Sequence, residues 1–574
     1  MRALDTLTLL SRIVRWRMHW DRRELDYVPD AAGPFVTGRD AALRIPDGAT
    51  VITCGMAGNA RCSAFFWSVR EAFAQSGRPR DLTWISVGAQ GGRGKAPGTV
   101  EELALPGLLR CYISGHVETA KALLALAEAD QLDVHVLPQG ELALLIDAQG
   151  KGVTSLTSGT GVGTFLDPRV GPGSALVARR TQPLIEAADE QLRFCLPPID
   201  VALFSAAAAD RDGNVYLHDM ATLTETFEAV RAARRNGGTV MAVVASVIDG
   251  PPATPGEEAV PFVAAADVDA IVVNRFNEQS VMVPQERPWR LFQPGGDGDD
   301  HAAIERLRMI NRLLHITPTR GPADLALGRL GAQLFAEVVP RGAHVNIGVG
   351  LPEEVCREVY ESGLHDDLVF TTETGVYGGL PAPGVYFGAA VNPLRFESSA
   401  WMFRHYREHL DAAVLGILEV DSEGNVNVSR RGQRADNYVG PGGFPTIVDC
   451  ADSVIFVGAW MSGARWRVRG TRLQLQRGGR PKFIERVREV TFSGPRALAA
   501  GKRVYYVTHV GVFRLAERGL ELIRLMPGVD VERDVLAHSG ARIFVADDLQ
   551  EADAAIVHGR GFNLRWAGAS EALR

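Results

Sequence analysis

The chain contains two internal resemblances, and together they limit the folds open to it. The segment IPDGATVITCGMAGNARCSAF at 45–65 resembles VPRGAHVNIGVGLPEEVCREV at 339–359, and VALFSAAAADRDGNVYL at 201–217 resembles AAVLGILEVDSEGNVNV at 412–428. Each member of the first pair has the pattern of a strand, a glycine-rich loop and a helix. Each member of the second has the pattern of two strands joined by an acidic-glycine turn. Two repeats in the same order predict a duplicated unit.

Apolar β-type runs alternate with helical stretches and glycine-rich turns, which predicts α/β architecture with largely parallel, open sheets. A chain of 574 residues is long enough for two such domains. The two resemblances have different offsets, so the first domain is expected to hold roughly 80 residues that the second lacks. We predict an N-terminal basic amphipathic arm, an α/β domain, a linker with a helix, a second α/β domain and a C-terminal tail, with the bounds 1–37, 38–284, 285–326, 327–548 and 549–574.

Composition argues against several classes of protein. The net charge is −7, from 61 basic and 68 acidic residues, so there is no general attraction to nucleic acid. The six cysteines form no C-x-x-C pair and no cluster with histidine at zinc spacing, which predicts reduced thiols in a cytoplasmic protein and no metal site. No uncharged apolar run has the length of a membrane span.

The first twenty residues have the pattern of a basic amphipathic helix. Leu10, Val14 and Met18 alternate with Arg12 and Arg15, and the arginines argue against a secretory signal. We interpret this arm as a packing or oligomer-contact element, and we expect a homo-oligomer. A role at a membrane surface is the alternative.

Three glycine-rich segments fail as nucleotide-binding motifs. GAQGGRGKAPG at 88–98 lacks the spacing and the Ser or Thr of a P-loop. GTGVGTF at 159–165 and GVGLPE at 348–353 lack the glycine spacing of a dinucleotide fold. The chain also has no G-x-S-x-G elbow. Kinase, nicotinamide-enzyme and serine-hydrolase functions are therefore not favoured.

The segment LVFTTETGVYGGL at 368–380 places a carboxylate at the end of an apolar run. Glu373 is followed by glycines at 375, 378 and 379, more than a simple turn needs. A glutamate has a reference pKa of about 4.3, so it is expected to be ionised near neutral pH and able to attack an activated carbonyl without a separate base. Such a nucleophile needs close backbone on several sides and donors for the developing oxyanion.

Two further glycine clusters are candidates for those donors. In HVNIGVGLPEEV at 344–355, Gly348 and Gly350 would let backbone amides approach a ligand at the start of a helix. Tight packing of the strand against the helix is the alternative explanation. A second cluster is YVGPGGF at 438–444.

These motifs resemble the class I CoA-transferases of the single-chain type, represented by propionate CoA-transferase and the acetate and 3-ketoacid CoA-transferases. The similarity extends from about residue 38 to about residue 548. In the second half it rests on VNIGVGLPE, TTETGVYGGLPAPGVYFGA, DSEGNVNVSR, GPGGF and VREVTFSG, and in the first half on GHVETAKAL, LPQGELALLI, GTGVGTFLDPR and DGNV. The resemblance implies two related α/β domains with the active site at their interface.

The resemblance also implies a reaction. Glu373 matches the covalent nucleophile of the family, which moves CoA between short-chain acids by a ping-pong mechanism through a γ-glutamyl-CoA thioester. It implies an acyl-CoA thioester and a carboxylate as substrates and no tightly bound cofactor or metal. Hydrolysis of the acyl-CoA and non-catalytic binding of a CoA thioester on the same fold are the two alternatives.

Further residues follow from the resemblance. The oxyanion and CoA-binding loops match Gly348, Val349, Gly350, Gly442 and Gly443.

Gln139 of the PQG motif matches a glutamine that contacts the substrate carboxylate, with turn capping as the alternative. Two departures from the family pattern, Tyr377 and the pair Glu408 and His409, are expected to narrow or polarise the path of the acyl group or of pantetheine.

Overall fold

The computed structural model describes residues 7, 10, 11, 14, 18, 21–92, 96–252, 260–276, 290–296, 299–313, 315 and 317–567. Within these residues the framework consists of two ten-stranded sheets, one formed by residues 50–273 and the other by residues 344–551. The α/β architecture with two open sheets, predicted from the sequence, is confirmed.

Residues 38–273 contain the following elements. The helices are α1 Gly38–Leu43, α2 Ser63–Ser76, α3 Lys121–Glu128, α4 Gln139–Gly150 and α5 Thr226–Arg235. The strands are β1 Thr50–Thr53, β2 Leu82–Ser86, β3 Leu109–Ser114, β4 Asp133–Val136, β5 Ser155–Ser158, β6 Ala175–Val177, β7 Ile185–Ala188, β8 Gln191–Cys195, β9 Val201–Asp210, β10 Val215–Tyr216, β11 Thr239–Ile248, β12 Phe262–Val263 and β13 Ala270–Val273.

The rest of the described chain contains the following elements. The helices are α6 Asp300–Leu313, α7 Pro322–Val338, α8 Pro352–Glu361, α9 Ser399–His409, α10 Phe444–Cys450, α11 Gly494–Ala499 and α12 Ala555–His558. The strands are β14 His344–Ile347, β15 Val369–Thr371, β16 Val376–Tyr377, β17 Leu380–Pro381, β18 Ala390–Val391, β19 Arg395–Phe396, β20 Ala412–Gly416, β21 Glu419–Val420, β22 Val426–Asn427, β23 Ser453–Val457, β24 Met461–Ser462, β25 Arg465–Arg469, β26 Arg472–Arg477, β27 Arg480–Pro481, β28 Arg503–Thr508, β29 Gly511–Ala516, β30 Gly519–Leu525 and β31 Ile543–Glu551.

Both sheets have a run of parallel strands and also contain antiparallel pairs. In the first sheet β4, β3, β2, β1, β9, β11 and β13 are neighbours in parallel, while β6, β10 and β12 join antiparallel. In the second sheet β15, β14, β20, β23 and β28 are parallel neighbours. All ten residues of β9 are buried, because helices and loops cover both faces of a parallel sheet.

The internal resemblances correspond to equivalent structures. In each half the strand of the first pair, β1 or β14, leads through a loop into the helix α2 or α8. In the second pair an aspartate, Asp210 at the end of β9 or Asp421 directly after β21, caps the turn with its Oδ1. Asp210 accepts from the amide of Gly213 at 2.9 Å, and Asp421 accepts from the amide of Asn425 at 3.0 Å. Gly213 has φ of +99° and Gly424 has φ of +75°, which explains why each turn carries a glycine.

Several hydrogen bonds connect the two halves. Val117 donates its amide to the carbonyl of Val439 at 2.9 Å, and Asn59 donates its side-chain amide to the carbonyl of Phe387 at 3.1 Å. These contacts leave a cavity between the halves.

A buried ion pair also crosses the interface. Arg407 of α9 donates to the carboxylate of Glu141 on α4 at 2.9 Å, and Glu141 is fully buried.

The predicted domain boundaries stay predictions. Helix α6 lies within the predicted linker, and β31 continues through residue 549. Beyond that strand, Arg329 of α7 donates to the carbonyl of Ile556 at 2.7 Å, and Trp566 packs on Phe335 with ring centroids 6.2 Å apart. Residues 549–567 therefore pack against the second half of the chain.

The N-terminal arm is described only in part. Leu7, Leu10, Val14 and Met18 are helical and exposed. The arginines of the predicted amphipathic pattern lie outside the described residues. None of the described helices is long and apolar enough to cross a membrane.

Candidate active site

Glu373 lies in a tight loop that follows the short strand β15. The amide of Gly375 donates to the carbonyl of Thr372 at 3.0 Å, and the amide of Thr372 donates to the carbonyl of Val376 at 3.0 Å. A Cβ atom on Gly375 would lie 1.9 Å from the carbonyl oxygen of Glu397, and its φ is +99°. The first glycine after Glu373 is therefore required by the close approach of neighbouring backbone.

The next two glycines of the loop are also required by positive φ and by the close approach of neighbouring atoms. Gly378 and Gly379 both have φ of +74°. A Cβ on Gly378 would lie 2.4 Å from the side chain of Leu394, and a Cβ on Gly379 would lie 2.3 Å from the carbonyl oxygen of Val391. The three glycines thus let the loop pack directly against the segment that returns beside it.

Two threonine hydroxyls attach the loop of Glu373 to neighbouring backbone. The hydroxyls of Thr372 and Thr374 are 2.7 Å apart, and both donate to the carbonyl oxygen of Gly388, the former at 3.1 Å. The carbonyl of Thr374 accepts from the amide of Thr224, which belongs to the first half of the chain, at 3.2 Å. The loop is thus fixed on both sides of Glu373.

The Glu373 carboxyl is partly exposed, and it lines the cavity. Burial raises its pKa above the ordinary value, while its own backbone amide and the side-chain amide of Asn346 oppose that rise. The expectation from the sequence, an ordinary pKa for Glu373, is therefore wrong, because the pKa is raised. A desolvated carboxylate held by few donors is a stronger base and nucleophile than one in water.

The cavity has a volume of about 1460 Å³ and is lined by both halves of the chain. Its first-half wall includes Met56, His116 and Gln139, and its second-half wall includes Glu373 and the glycine-rich loops. The predicted site residues that line it are Gln139, Gly348, Val349, Gly350, Glu373, Gly442 and Gly443. All of the residues singled out from the sequence for the site thus meet at one interface.

The loop at 348–350 offers fewer free amides than its sequence suggests. The amide of Gly348 donates to the carbonyl of Val414 at 2.8 Å, and the amide of Gly350 donates to the Glu353 carboxylate at 3.1 Å. No described residue accepts from the amide of Val349. Of the three, Val349 is therefore the one whose amide is available to a ligand.

In the second glycine cluster, at 438–444, one backbone amide is again bonded within the protein and another is available to a ligand. The amide of Gly442 donates to the carbonyl of Gly115 at 2.7 Å. Gly443 is the N-cap of α10, and no described residue accepts from its amide. A Cβ on Gly443 would lie 3.2 Å from Oε1 of Gln139, so the two residues are neighbours in the cavity wall.

Gln139 is the first residue of α4 and is 5% exposed. Its amide donates to the carbonyl of Gly442 at 2.9 Å. Its side-chain nitrogen lies 3.8 Å from the sulfur of Met56. The side chain forms no capping hydrogen bond with the described residues, which argues against the turn-capping alternative.

The two departures from the family pattern lie away from the cavity lining. The hydroxyl of Tyr377 is 2.9 Å from Nε2 of His344, and its ring contacts Trp401. The side chains of Glu408 and His409 are 76% and 52% exposed. The expectation that these residues narrow or polarise the substrate path is therefore wrong.

Sequence reasoning missed Asn346, Thr372, Thr374 and Met56. Asn346 donates to the hydroxyl of Tyr406 at 3.1 Å and faces Glu373 from the neighbouring strand. The signal for Asn346 was its place in β14, which lies parallel to β15 and ends at the same edge of the sheet. Among the described residues, no cluster of His, Cys, Asp and Glu is arranged to hold a metal ion.

Comparison with known proteins gives a consistent set of relatives, although no family model matches the chain. The chain is 29% identical to caffeate CoA-transferase of Acetobacterium woodii over 542 residues, which cover 93% of this chain and 98% of the relative. It is 29% identical to acetate CoA-transferase YdiF of Escherichia coli K12 over 511 residues, which cover 88% of this chain and 91% of the relative.

The solved structures agree with these relatives. The crystal structure of the acyl-CoA transferase YdiF apoenzyme from Escherichia coli O157:H7 superposes with a TM-score of 0.78 at 26% identity, covering 96% of this chain and 99% of that chain. A thioester complex of the same enzyme with CoA matches equally well. On this evidence of sequence and fold, the chain belongs to the single-chain CoA-transferases, the type of enzyme that includes its caffeate and YdiF relatives.

Proposed function

We propose that this CoA-transferase moves CoA from an acyl-CoA to a free carboxylate through a covalent intermediate on Glu373. The observation that carries the proposal is the position of this carboxyl, at the wall of a cavity shared by both halves and inside a loop that only glycines permit. Close backbone on several sides and a dry surrounding are what a carboxylate nucleophile requires.

In the first half-reaction, a carboxylate oxygen of Glu373 attacks the thioester carbonyl and CoA leaves as a thiolate. The product is a mixed anhydride between the acyl group and the glutamyl side chain. The thiolate then attacks the glutamyl carbonyl, which releases the first carboxylic acid as its anion and leaves a γ-glutamyl-CoA thioester. A second carboxylate enters and the same steps run in reverse.

The surrounding groups have separate roles in this scheme. The amides of Val349 and Gly443 are the candidate donors to the tetrahedral oxyanions, because each lines the cavity without a described acceptor. Gln139 stands beside Gly443, where its side-chain amide can hydrogen-bond the substrate carboxylate without attacking it. Asn346 stabilises the ionised form of Glu373 between turnovers.

The acids that are exchanged belong to the same proposal. We expect short-chain acids of the acetate, propionate or 3-ketoacid type. The relatives are named for caffeate and for acetate, so an aryl acid belongs in the test panel as well. Acyl-CoA hydrolysis is separated from transfer by omitting the acceptor acid: release of free CoA without an acceptor would contradict transfer.

The decisive experiment traps the intermediate. The protein is incubated with an acyl-CoA and then with borohydride, which reduces a glutamyl thioester and changes the mass of the peptide containing Glu373. We expect this change in the wild type and its absence in Glu373→Gln. Glu397→Gln is the matched control, because that carboxyl pairs with Arg395 at 2.9 Å and lies outside the cavity lining.

Glu373→Gln also separates catalysis from the non-catalytic alternative. If the variant transferred CoA at the wild-type rate, Glu373 would not be the acyl carrier and the proposal would fail. If neither protein transferred CoA but both bound an acyl-CoA, the chain would be a binding protein on this fold.

Assembly and compartment are further parts of the proposal. We expect a homo-oligomer in the cytoplasm, consistent with six free cysteines among the described residues. Light scattering of the purified protein, run with and without reductant, measures the oligomeric mass.

A further inference from the structure

One loop, residues 54–62, contributes to the wall of the cavity on the side of the first half. Met56 and Ala57 of this loop line the cavity. The sulfur of Met56 lies 3.8 Å from the side-chain amide of Gln139, and a Cβ on Gly388 would lie 3.1 Å from its methyl carbon. The loop therefore lies beside the loop of Glu373, which also bonds to Gly388.

This wall loop has a costly backbone conformation. Gly55 has φ of +118°, and the two alanines Ala57 and Ala60 have φ of +54° and +55°. A non-glycine residue with positive φ is strained, and the conformation persists only where the surroundings enforce it. Groups that hold this loop are therefore needed to keep the cavity in shape.

One of those groups is the side chain of Glu225. Its Oε1 accepts from the amide of Gly55 at 3.0 Å, and the residue is 2% exposed. The residue before it, Thr224, contacts the opposite wall: its amide donates to the carbonyl of Thr374 at 3.2 Å, and its own φ is +53°. A single dipeptide therefore bonds both the wall loop and the loop that carries Glu373.

The charge of Glu225 is set by its surroundings. Burial raises its pKa to about 8, while the hydrogen bond from Gly55 opposes the rise. The titratable groups that face it are the thiols of Cys54 and Cys62 from the wall loop and the carboxyl of Glu228 from its own helix.

Two other elements, which bond to the neighbouring Thr224, carry groups that do not titrate. The loop of Glu373 contributes Thr374, and the start of α9 contributes Ser399, whose amide donates to the carbonyl of Thr224 at 2.8 Å. The Glu228 carboxyl is itself paired with Arg231 at 3.0 Å. Burial thus favours the neutral carboxyl of Glu225, and its ionisation would leave a negative charge in this buried pocket.

We propose that Glu225 is a positioning residue: in its neutral form it holds the loop of Met56 against the loop of Glu373, and loss of its proton to solvent loosens the acyl side of the cavity. An unpaired buried charge is strongly unfavourable, so water must enter or the loop must move when the group ionises. This inference rests on the proposed function, because the acyl side of the cavity is defined by the reaction at Glu373.

Two substitutions test the role. Glu225→Gln keeps an acceptor for the Gly55 amide and cannot ionise. We expect its kcat at pH 7 to stay within about threefold of wild type, and the alkaline decline of kcat near pH 8 to disappear. Glu225→Ala removes the acceptor. We expect kcat to fall by about 10- to 100-fold while KM for the acyl-CoA changes little, since a misplacement of about 1 Å has this effect on rate.

The matched control is Glu521→Gln on β30, a carboxyl that is 9% exposed, pairs with Arg514 and lies outside the cavity lining. It is expected to have the wild-type pH profile. The inference is overturned if Glu225→Gln declines at alkaline pH as the wild type does, or if Glu225→Ala keeps the wild-type kcat.

Amide hydrogen exchange separates this inference from the proposed function. Corrected for intrinsic rates, exchange in residues 54–62 is expected to rise in Glu225→Ala at pH 7, and in the wild type between pH 7 and 9. This readout does not require activity. If the wild type transferred no CoA, the proposed function would fail, while unchanged exchange in both comparisons would overturn the role of Glu225.

Discussion

Replacing Gly375 by alanine tests whether the loop of Glu373 depends on backbone contact. The added Cβ would lie 1.9 Å from the carbonyl oxygen of Glu397, where ordinary contacts begin near 3.4 Å, so the two groups must separate by roughly 1.5 Å. The positive φ costs about 1 to 2 kcal/mol for a residue with a side chain. Two backbone hydrogen bonds are strained, from Gly375 to Thr372 and from Glu397 to Gly375, at about 0.5 to 1.5 kcal/mol each.

The sum is a loss of about 2 to 5 kcal/mol of folding free energy, concentrated at the loop. A displacement of more than 1 Å at Glu373 should also lower the rate of glutamyl-CoA formation by about 100-fold. Gly363→Ala is the matched control. Gly363 has φ of +72°, a Cβ there would meet nothing within 4 Å, and the residue lies outside the cavity lining.

The assay is single-turnover formation of the borohydride-reducible intermediate, together with thermal unfolding of the three proteins. We expect Gly363→Ala to lose about 1 to 2 kcal/mol and keep the wild-type rate. Equal rates and equal unfolding temperatures for the two variants would refute the argument, because the predicted difference rests on the contact with Glu397, which Gly363 lacks.

Three further predictions concern other parts of the interface. Gln139→Ala, which removes the amide beside Gly443, should lower kcat about tenfold without changing the unfolding temperature, and steady-state kinetics with a matched acyl-CoA and acid measure this. Arg407→Met leaves the buried Glu141 carboxylate unpaired and should lower the free energy of unfolding by about 3 to 5 kcal/mol at pH 7. Because burial already raises the pKa of Glu141, this loss of stability should shrink as pH falls. Urea unfolding at pH 5 and pH 7 measures the difference. The pKa of Glu225 is raised to about 8 from an ordinary 4.5, so the unfolded chain loses this proton at lower pH than the folded chain does. The stability of the wild type should therefore fall as pH rises from about 4.5 to 8, and Glu225→Gln should flatten that slope in the same unfolding series. Parallel slopes for the two proteins would contradict the prediction.

Much of the fold followed from local patterns. The strand–loop–helix segments at 45–65 and 339–359 formed as predicted, because apolar runs, glycine and proline specify such units within a few residues of one another. The sequence did not reveal that the central parallel strands are bordered by antiparallel ones, as at β29 and β30. Strand direction at a sheet edge depends on which strand lies next to it, and that is a long-range choice.

The candidate site divides in the same way. Glu373 and its glycines stood out in the sequence because a charge beside three glycines has no use in a buried strand. The sequence did not show which backbone amides of the glycine clusters are available to a ligand. The amides of Gly348 and Gly442 donate to the carbonyls of Val414 and Gly115, which lie far away in the chain. The misplaced expectation for Tyr377 has the same origin, because its neighbour His344 is 33 residues away in the chain.

The amino-acid order alone determined the two α/β units, the carboxylate at the end of β15 and the glycines that its loop requires, because each depends on short-range sterics and periodicity. Only the tertiary structure decided that Glu225 reaches Gly55, that Asn346 faces Glu373, and which amides of the glycine clusters are left for a ligand. Those outcomes depend on groups far apart in the chain meeting in a dry interface, where one hydrogen bond or one buried charge sets the balance.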